Sequence, residues 1–176
     1  MTRRHGLLAL LAGGGAAALG AWLSARRLAP APVADTAVQT LFAQTFPDAD
    51  GAPQALAQWR GRVLVVNFWA TWCPPCVEEM PDLQAVRDEY HGRGVEIIGI
   101  GIDSAEKIRA FRDRMNLRLP LLVAGAGGSQ MGQALGNAVG ALPYTALIDR
   151  QGRVAQRKLG QIKPAELRLW LDAQLT

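Results

Sequence analysis

Hydrophobic positions along the chain fall into runs of distinct period. Val63–Trp69 and Val95–Ile102 are almost continuously apolar and largely β-branched, the pattern of strands buried on both faces. Leu119–Val123 and Tyr144–Ile148 are shorter runs of the same kind, and Tyr144–Ile148 passes through Asp149-Arg150-Gln151-Gly152 into Val154–Leu159, which reads as a hairpin. Between these lie segments of helical period. In Pro74–Tyr90 the apolar residues Val77, Met80, Leu83 and Val86 recur every three positions, and Gly92 and Gly94 end the segment. Pro81 inside it predicts a kink. Ser104 is a good N-cap for a helix to about Met115, Ser129–Leu135 reads as helical, and Pro164 opens a last helix with Leu167, Trp170 and Leu171 on one face. Ahead of the first long strand, Leu41–Phe46 and Pro53–Leu56 flank the turn Asp48-Ala49-Asp50-Gly51 as an N-terminal hairpin, followed by a small turn at Trp59-Arg60-Gly61. Strands joined by helices run parallel and the terminal hairpin adds antiparallel strands. The expected fold class is therefore α/β, a central mixed sheet flanked by helices with an N-terminal β-hairpin extension.

The first 38 residues follow a different grammar. Arg3 and Arg4 precede Gly6–Ala25, which carries no charged side chain. A basic segment before an apolar one marks residues 1–27 as an export signal or membrane anchor. Thr2-Arg3-Arg4 ahead of Gly6-Leu7-Leu8 is similar to a twin-arginine signal, the general secretory route being the alternative. Residues 28–38, rich in Ala and Pro, read as a linker, which leaves 39–176 as the folded domain. Either reading of the leader places the domain outside the cytoplasm, in a periplasm or its equivalent, held at the membrane if the leader is uncleaved.

Charge changes little in this picture. The chain carries a formal +4, but Arg3, Arg4, Arg26 and Arg27 account for all of it. From Leu28 onward there are 15 basic and 15 acidic residues, so there is no basic excess to suggest nucleic-acid binding.

The chemistry sits in the only two cysteines, Cys73 and Cys76. A scaffold held by disulfides would carry several pairs at wider spacing. A zinc site needs four ligands, and beyond these two thiols the chain offers only His5, in the leader, and His91, which reads as a solvated residue at a helix end. No metal is expected. The pair lies instead between a buried strand and a helix. There a cysteine meets unpaired backbone N–H groups and the positive end of the helix dipole, which favour thiolate over thiol. Cys73 should be the exposed nucleophile and Cys76, one turn in, the buried resolving thiol. Pro74 and Pro75 suit a first helical turn and stiffen the loop, so they should tune the redox potential. Trp69 reads as core and Trp72 as part of an exposed rim that a substrate would touch.

The run Asn67-Phe68-Trp69-Ala70-Thr71-Trp72-Cys73-Pro74-Pro75-Cys76, with Glu78-Glu79-Met80-Pro81 after it, resembles the TlpA/ResA branch of the thioredoxin superfamily, and the resemblance extends over roughly Leu41–Thr176. It implies a thioredoxin fold and an extracytoplasmic thiol–disulfide oxidoreductase whose only redox group is the Cys73–Cys76 disulfide, with no separate cofactor. It also assigns further residues. Glu79 falls on the family's active-site glutamate, where a carboxylate one turn past Cys76 could take or return a proton; residue type alone would make it a surface glutamate favoured by the helix dipole. Glu78 reads as that surface residue. Leu142-Pro143 falls on the superfamily's cis-proline loop, which pairs with substrate backbone. Asn67 stands where cytoplasmic thioredoxins carry a buried aspartate, so the proton role is expected to move to Glu79.

The resemblance further implies reduction of protein disulfides, with apocytochrome c as substrate in cytochrome c maturation, a membrane thiol-transfer protein as electron donor, and a monomeric protein. Two alternatives belong beside it. A peroxidase of the wider redoxin group would normally carry threonine three residues before its reactive cysteine, and here that residue is Ala70, with Thr71 one position too late. A Cu(I)-handling module would use the two soft thiolates, but no Met- or His-rich cluster accompanies them.

Overall fold

A computed structural model describes residues 35–176; the proposed leader, and the linker up to residue 34, lie outside them. No helix of the described residues is long and apolar enough to cross a membrane.

The chain opens with helix α1 (Asp35–Ala43), then the two-stranded ribbon β1 (Thr45–Pro47) and β2 (Pro53–Ala55). Asp48 closes the ribbon's turn, its Oδ1 accepting from the backbone N–H groups of Asp50 and Ala52. Two expectations are corrected here. The linker does not run to Val38, since α1 begins at Asp35 and Val38 is buried; and Leu41 and Phe42 belong to this helix, where both are buried, not to a strand. Their spacing of one turn from Val38 puts the three on a single face, and tertiary burial overrides the strand-like look of Leu41–Phe46.

A short 3-10 turn (Leu56–Trp59) leads into β3 (Val63–Trp69), α2 (Pro74–Tyr90), a second 3-10 turn (His91–Arg93), β4 (Val95–Gly101), α3 (Ala105–Met115), β5 (Leu121–Val123), α4 (Gly127–Ala134), β6 (Tyr144–Ile148), β7 (Val154–Leu159) and α5 (Pro164–Leu175). The five-stranded sheet has the order β5-β4-β3-β6-β7. β3, β4 and β5 are parallel, and β6 runs antiparallel to both of its neighbours, β3 and β7. This is the expected mixed sheet.

Each strand residue faces one of two cores. From β3, Val63, Val65 and Trp69 pack with Met80, Leu83 and Val86 of α2, Phe111 of α3 and Leu167 and Leu171 of α5. Leu64, Val66 and Phe68 pack with α1, α4 and Leu56. The period of two along a strand buried on both sides explains why the sequence is apolar throughout. By the same alternation Asn67 faces the first core, a polar residue in a fully buried row.

Helix α2 runs unbroken through Pro81 from Pro74 to Tyr90. At its C-terminal end His91 is exposed, as expected, and has a partner that the sequence did not reveal: its Nδ1 lies 3.2 Å from the buried carboxylate of Glu96, which also binds Arg87 Nε at 2.5 Å and faces Arg62 at 3.7 Å. α3 begins as expected, with Ser104 Oγ accepting from the Lys107 N–H.

Gly99 on β4 sits beside Asn67 in the sheet. A Cβ there would fall 2.7 Å from Leu121 Cδ2 and 2.9 Å from Trp69 Nε1, closer than atoms pack. Gly99→Ala is therefore expected to destabilise the domain by about 1–3 kcal/mol, read by denaturant unfolding.

Candidate active site

The junction between β3 and α2 builds the site. β3 ends at Trp69, and the short loop Ala70–Trp72 delivers Cys73 as the N-cap of α2 in extended conformation, with Pro74 and Pro75 as the first two helical residues. Cys73 and Cys76 form a disulfide, their Cα atoms 5.3 Å apart. The loop is tied at Thr71, whose hydroxyl donates to Asp103 Oδ2 at the end of β4 at 2.5 Å. Burial works to raise the Asp103 carboxyl, but hydrogen bonds from Thr71, the Ser104 N–H and Lys107 outweigh it and hold it below the usual carboxylate range.

Cys73 is less open than expected. In the disulfide it is only 5% exposed and Cys76 is fully buried, whereas Trp72 is 64% exposed. The edge that Cys73 does present opens into a groove of about 390 Å³, walled by Trp72, Pro74 and Pro75 and, opposite, by Ala141 and Leu142. The Leu142–Pro143 peptide bond is cis, as the resemblance implied. Trp69 is core, its ring 5.2 Å from that of Phe111. The structure thus brings Trp72, Cys73, Pro74, Pro75 and Leu142 around one groove.

The helix terminus differs from expectation in a way that matters. Pro74 and Pro75 carry no N–H, and the next two N–H groups, of Cys76 and Val77, both donate to the Cys73 carbonyl at 3.1 Å. The backbone donors anticipated for a Cys73 thiolate are spent elsewhere or missing, leaving the dipole alone.

Glu79 lies one turn beyond Cys76, on the same face of α2. It is fully buried, so the surface reading of this residue does not hold, while Glu78 is exposed. Glu79 Oε1 accepts from Asn67 Nδ2 at 2.7 Å, and Oε2 accepts from the Ile162 N–H, just before α5, at 2.8 Å. Burial pushes its carboxyl up to about 7, against those two hydrogen bonds and the charge of Lys163, which favour the ionised form. A carboxyl poised near neutrality can both accept and return a proton.

Sequence reasoning did not assign two further members of this network. Thr145 on β6 pairs with Asn67 across the sheet, its Oγ1 accepting from Asn67 Nδ2 at 3.0 Å. The signal was present as one hydroxyl in the otherwise apolar strand Tyr144–Ile148. The Ile162 N–H left no mark in the sequence, because a backbone donor is common to almost every residue.

A strand delivering Cys-x-x-Cys to a helix N-terminus, opposed by a cis-proline and backed by a buried acid, defines a thiol–disulfide oxidoreductase of thioredoxin fold. Comparison with known proteins agrees. The chain belongs to the redoxin family, whose model matches residues 30–169. It is 32% identical over 127 residues to the thiol-disulfide oxidoreductase ResA of Geobacillus thermodenitrificans, covering 72% of this chain and 71% of that one. It is 30% identical over 126 residues to the thioredoxin-like protein YneN of Bacillus subtilis, covering 69% and 71%. Among solved structures, a thiol:disulfide interchange protein of the thioredoxin family from Chlorobium tepidum TLS superposes with a TM-score of 0.67 at 24% identity, over 84% of this chain and 96% of that one.

Proposed function

We propose that this oxidoreductase works as a reductant of protein disulfides outside the cytoplasm. The observation that carries the direction is the N-terminus of α2. A strong oxidant owes its potential to a stabilised reduced form. Here two prolines withhold N–H donors from the Cys73 thiolate and the next two donors serve the Cys73 carbonyl, so the reduced form is less favoured and the pair gives up its electrons readily.

The reaction runs in two exchanges. The Cys73 thiolate attacks one sulfur of a substrate disulfide, breaking that bond, forming a mixed disulfide and releasing the first substrate thiolate. The Glu79 carboxylate takes the Cys76 proton. The Cys76 thiolate then attacks Cys73 Sγ, releasing the second substrate thiolate and closing the Cys73–Cys76 disulfide. Two electrons pass to the substrate, and a membrane thiol-transfer protein restores the dithiol. The groove beside Trp72, with Leu142 and Pro143 supplying backbone, receives the client. An apocytochrome c, bearing a Cys-x-x-Cys-His haem-attachment segment, fits as client class. Arg3-Arg4 before the uncharged Gly6–Ala25 supports export, with anchoring if uncleaved, and the domain acts as a monomer.

The deciding measurement is the reduction potential of the pair, by equilibration against dithiol buffers. A value near about −270 mV is expected, and one near about −120 mV overturns the reading. Pro75→Ala restores an N–H at the second helical position. A hydrogen bond to a charged group contributes about 1.5–3 kcal/mol, so the potential should rise by roughly 30–60 mV. For the client, Cys76→Ser protein should accumulate a mixed disulfide with an oxidised Cys-x-x-Cys-His peptide, resolved on non-reducing gels.

A further inference from the structure

Asn67 makes an unbalanced set of hydrogen bonds. Its side chain is fully buried. Nδ2 donates twice, to Glu79 Oε1 and to Thr145 Oγ1, while Oδ1 has no hydrogen-bond partner among the described residues. Unsatisfied buried acceptors are uncommon and call for a reason.

Both partners can reverse their roles. A threonine hydroxyl donates as readily as it accepts, and a glutamate becomes a donor once it holds a proton. Consider Glu79 taking up the Cys76 proton. Oε2 already faces the Ile162 N–H at 2.8 Å, so the new O–H belongs on Oε1, where it would confront an N–H of Asn67. Two donors face to face in a buried site are unfavourable. Turning the amide over by half a rotation places Oδ1 where Nδ2 now sits. Oδ1 then accepts from the Glu79 O–H and from the Thr145 hydroxyl, while the two N–H groups turn to the side where Oδ1 had no partner among the described residues, which is the cost of the turn. The heavy-atom outline of the amide is unchanged, so the packing around it permits both orientations.

We infer that Asn67 is a positioning residue that holds Glu79 in both its protonation states by turning its amide over, with Thr145 reversing its hydroxyl in step. The inference rests on the proton-exchanging role of Glu79 proposed above. It gives a buried acid–base group a hydrogen bond before and after each transfer, which a one-way partner such as a backbone N–H cannot do. An aspartate at this place would instead add a second buried carboxylate to the site and repel the Glu79 anion.

Other charges act on Glu79 as well. Lys163, ahead of α5, favours its anion and Asp82 on α2 opposes it, and the Cys76 thiol of the reduced protein lies one turn away on the same helix. The test therefore reads the amide itself. In the reduced, full-length protein, the two Asn67 Nδ2 proton resonances should move together between pH 5 and 9 with a midpoint near 7, both losing their hydrogen-bonded shifts on the acidic side. In Glu79→Gln protein they should not titrate. Resonances that stay fixed across the range, or a Glu79→Gln protein in which they still titrate, overturn the inference. If they titrate as described while turnover is indifferent to Glu79, the amide device stands and the proton role proposed for Glu79 fails.

A second variant reads the same point by activity. Asn67→Leu neither donates nor accepts. If the amide serves both states, its removal should leave the midpoint of the pH–rate profile within about half a unit while slowing the reaction. If Nδ2 supports the anion alone, the midpoint should rise by a unit or more, and the inference falls.

Discussion

Glu79→Gln protein is expected to reduce a model disulfide about 100-fold more slowly than wild type at pH 7.5, with the loss concentrated in the step that resolves the mixed disulfide. Proton transfer by a positioned group contributes at least that much, and Glu79 is a fully buried carboxyl one turn from Cys76. The wild-type profile of kcat/KM should carry a limb near pH 7, where this carboxyl titrates, and the variant should lack it. Rapid-mixing kinetics separate the two exchanges: attack by Cys73 should be little changed. A variant with an unaltered profile would remove Glu79 from the mechanism.

The same residue links stability to pH. Its folded pKa of about 7 lies above the ordinary value of 4.5, so the folded state holds the proton more tightly than the unfolded chain. Stability from this group is present below pH 4.5 and is lost as pH rises to 7, by about 3 kcal/mol in all. Measured by thermal unfolding, the Glu79→Gln protein should gain on wild type across this window and hold a constant lead above it.

The second large effect lies away from the redox centre. Glu96→Ala should lower stability by about 3 kcal/mol, or roughly 10 °C in Tm for a domain of this size. The Glu96 carboxylate is buried, and its removal leaves Arg87, itself only 16% exposed, beside Arg62 and His91 with no counter-charge. By contrast Asp50→Ala, which breaks the surface pair with Arg112, should change Tm by no more than a degree or two. Equal losses in the two variants would show that burial at Glu96 confers nothing.

Much of this architecture was legible in the chain because burial on both faces leaves an unmistakable run, as in Val63–Trp69 and Val95–Gly101. Cys73 and Cys76 were legible as a spacing at the start of a helix, whereas Glu79 and Pro143 were assigned only through the family resemblance, since residue type alone made Glu79 a surface glutamate and Pro143 an ordinary proline at a strand start. What escaped notice depends on residues distant in sequence. Whether Leu41 and Phe42 belong to a helix or a strand is decided by what covers them. The pairing of His91 with Glu96 needs β4 to turn back beneath α2. Thr145 reaches Asn67 only once β6 lies against β3, and the Ile162 N–H reaches Glu79 only once α5 has packed across α2. The donor deficit at Cys73 could have been read from two prolines, yet the general expectation for a helix terminus concealed it.

The borders of the five-stranded sheet bear on how such a protein handles its clients. An unfolded chain brought in by its cysteines carries free backbone groups and will pair with any open strand. On one side the outermost strand, β5, is three residues long and is bridged at Leu122 by Asp48. On the other, β7 presents Arg157 and Lys158, the latter held to Glu166 of α5. Strand addition at either border is discouraged, which would leave the groove beside Cys73 to hold a client of the reductant proposed above. That client can then leave as soon as its sulfurs have been exchanged.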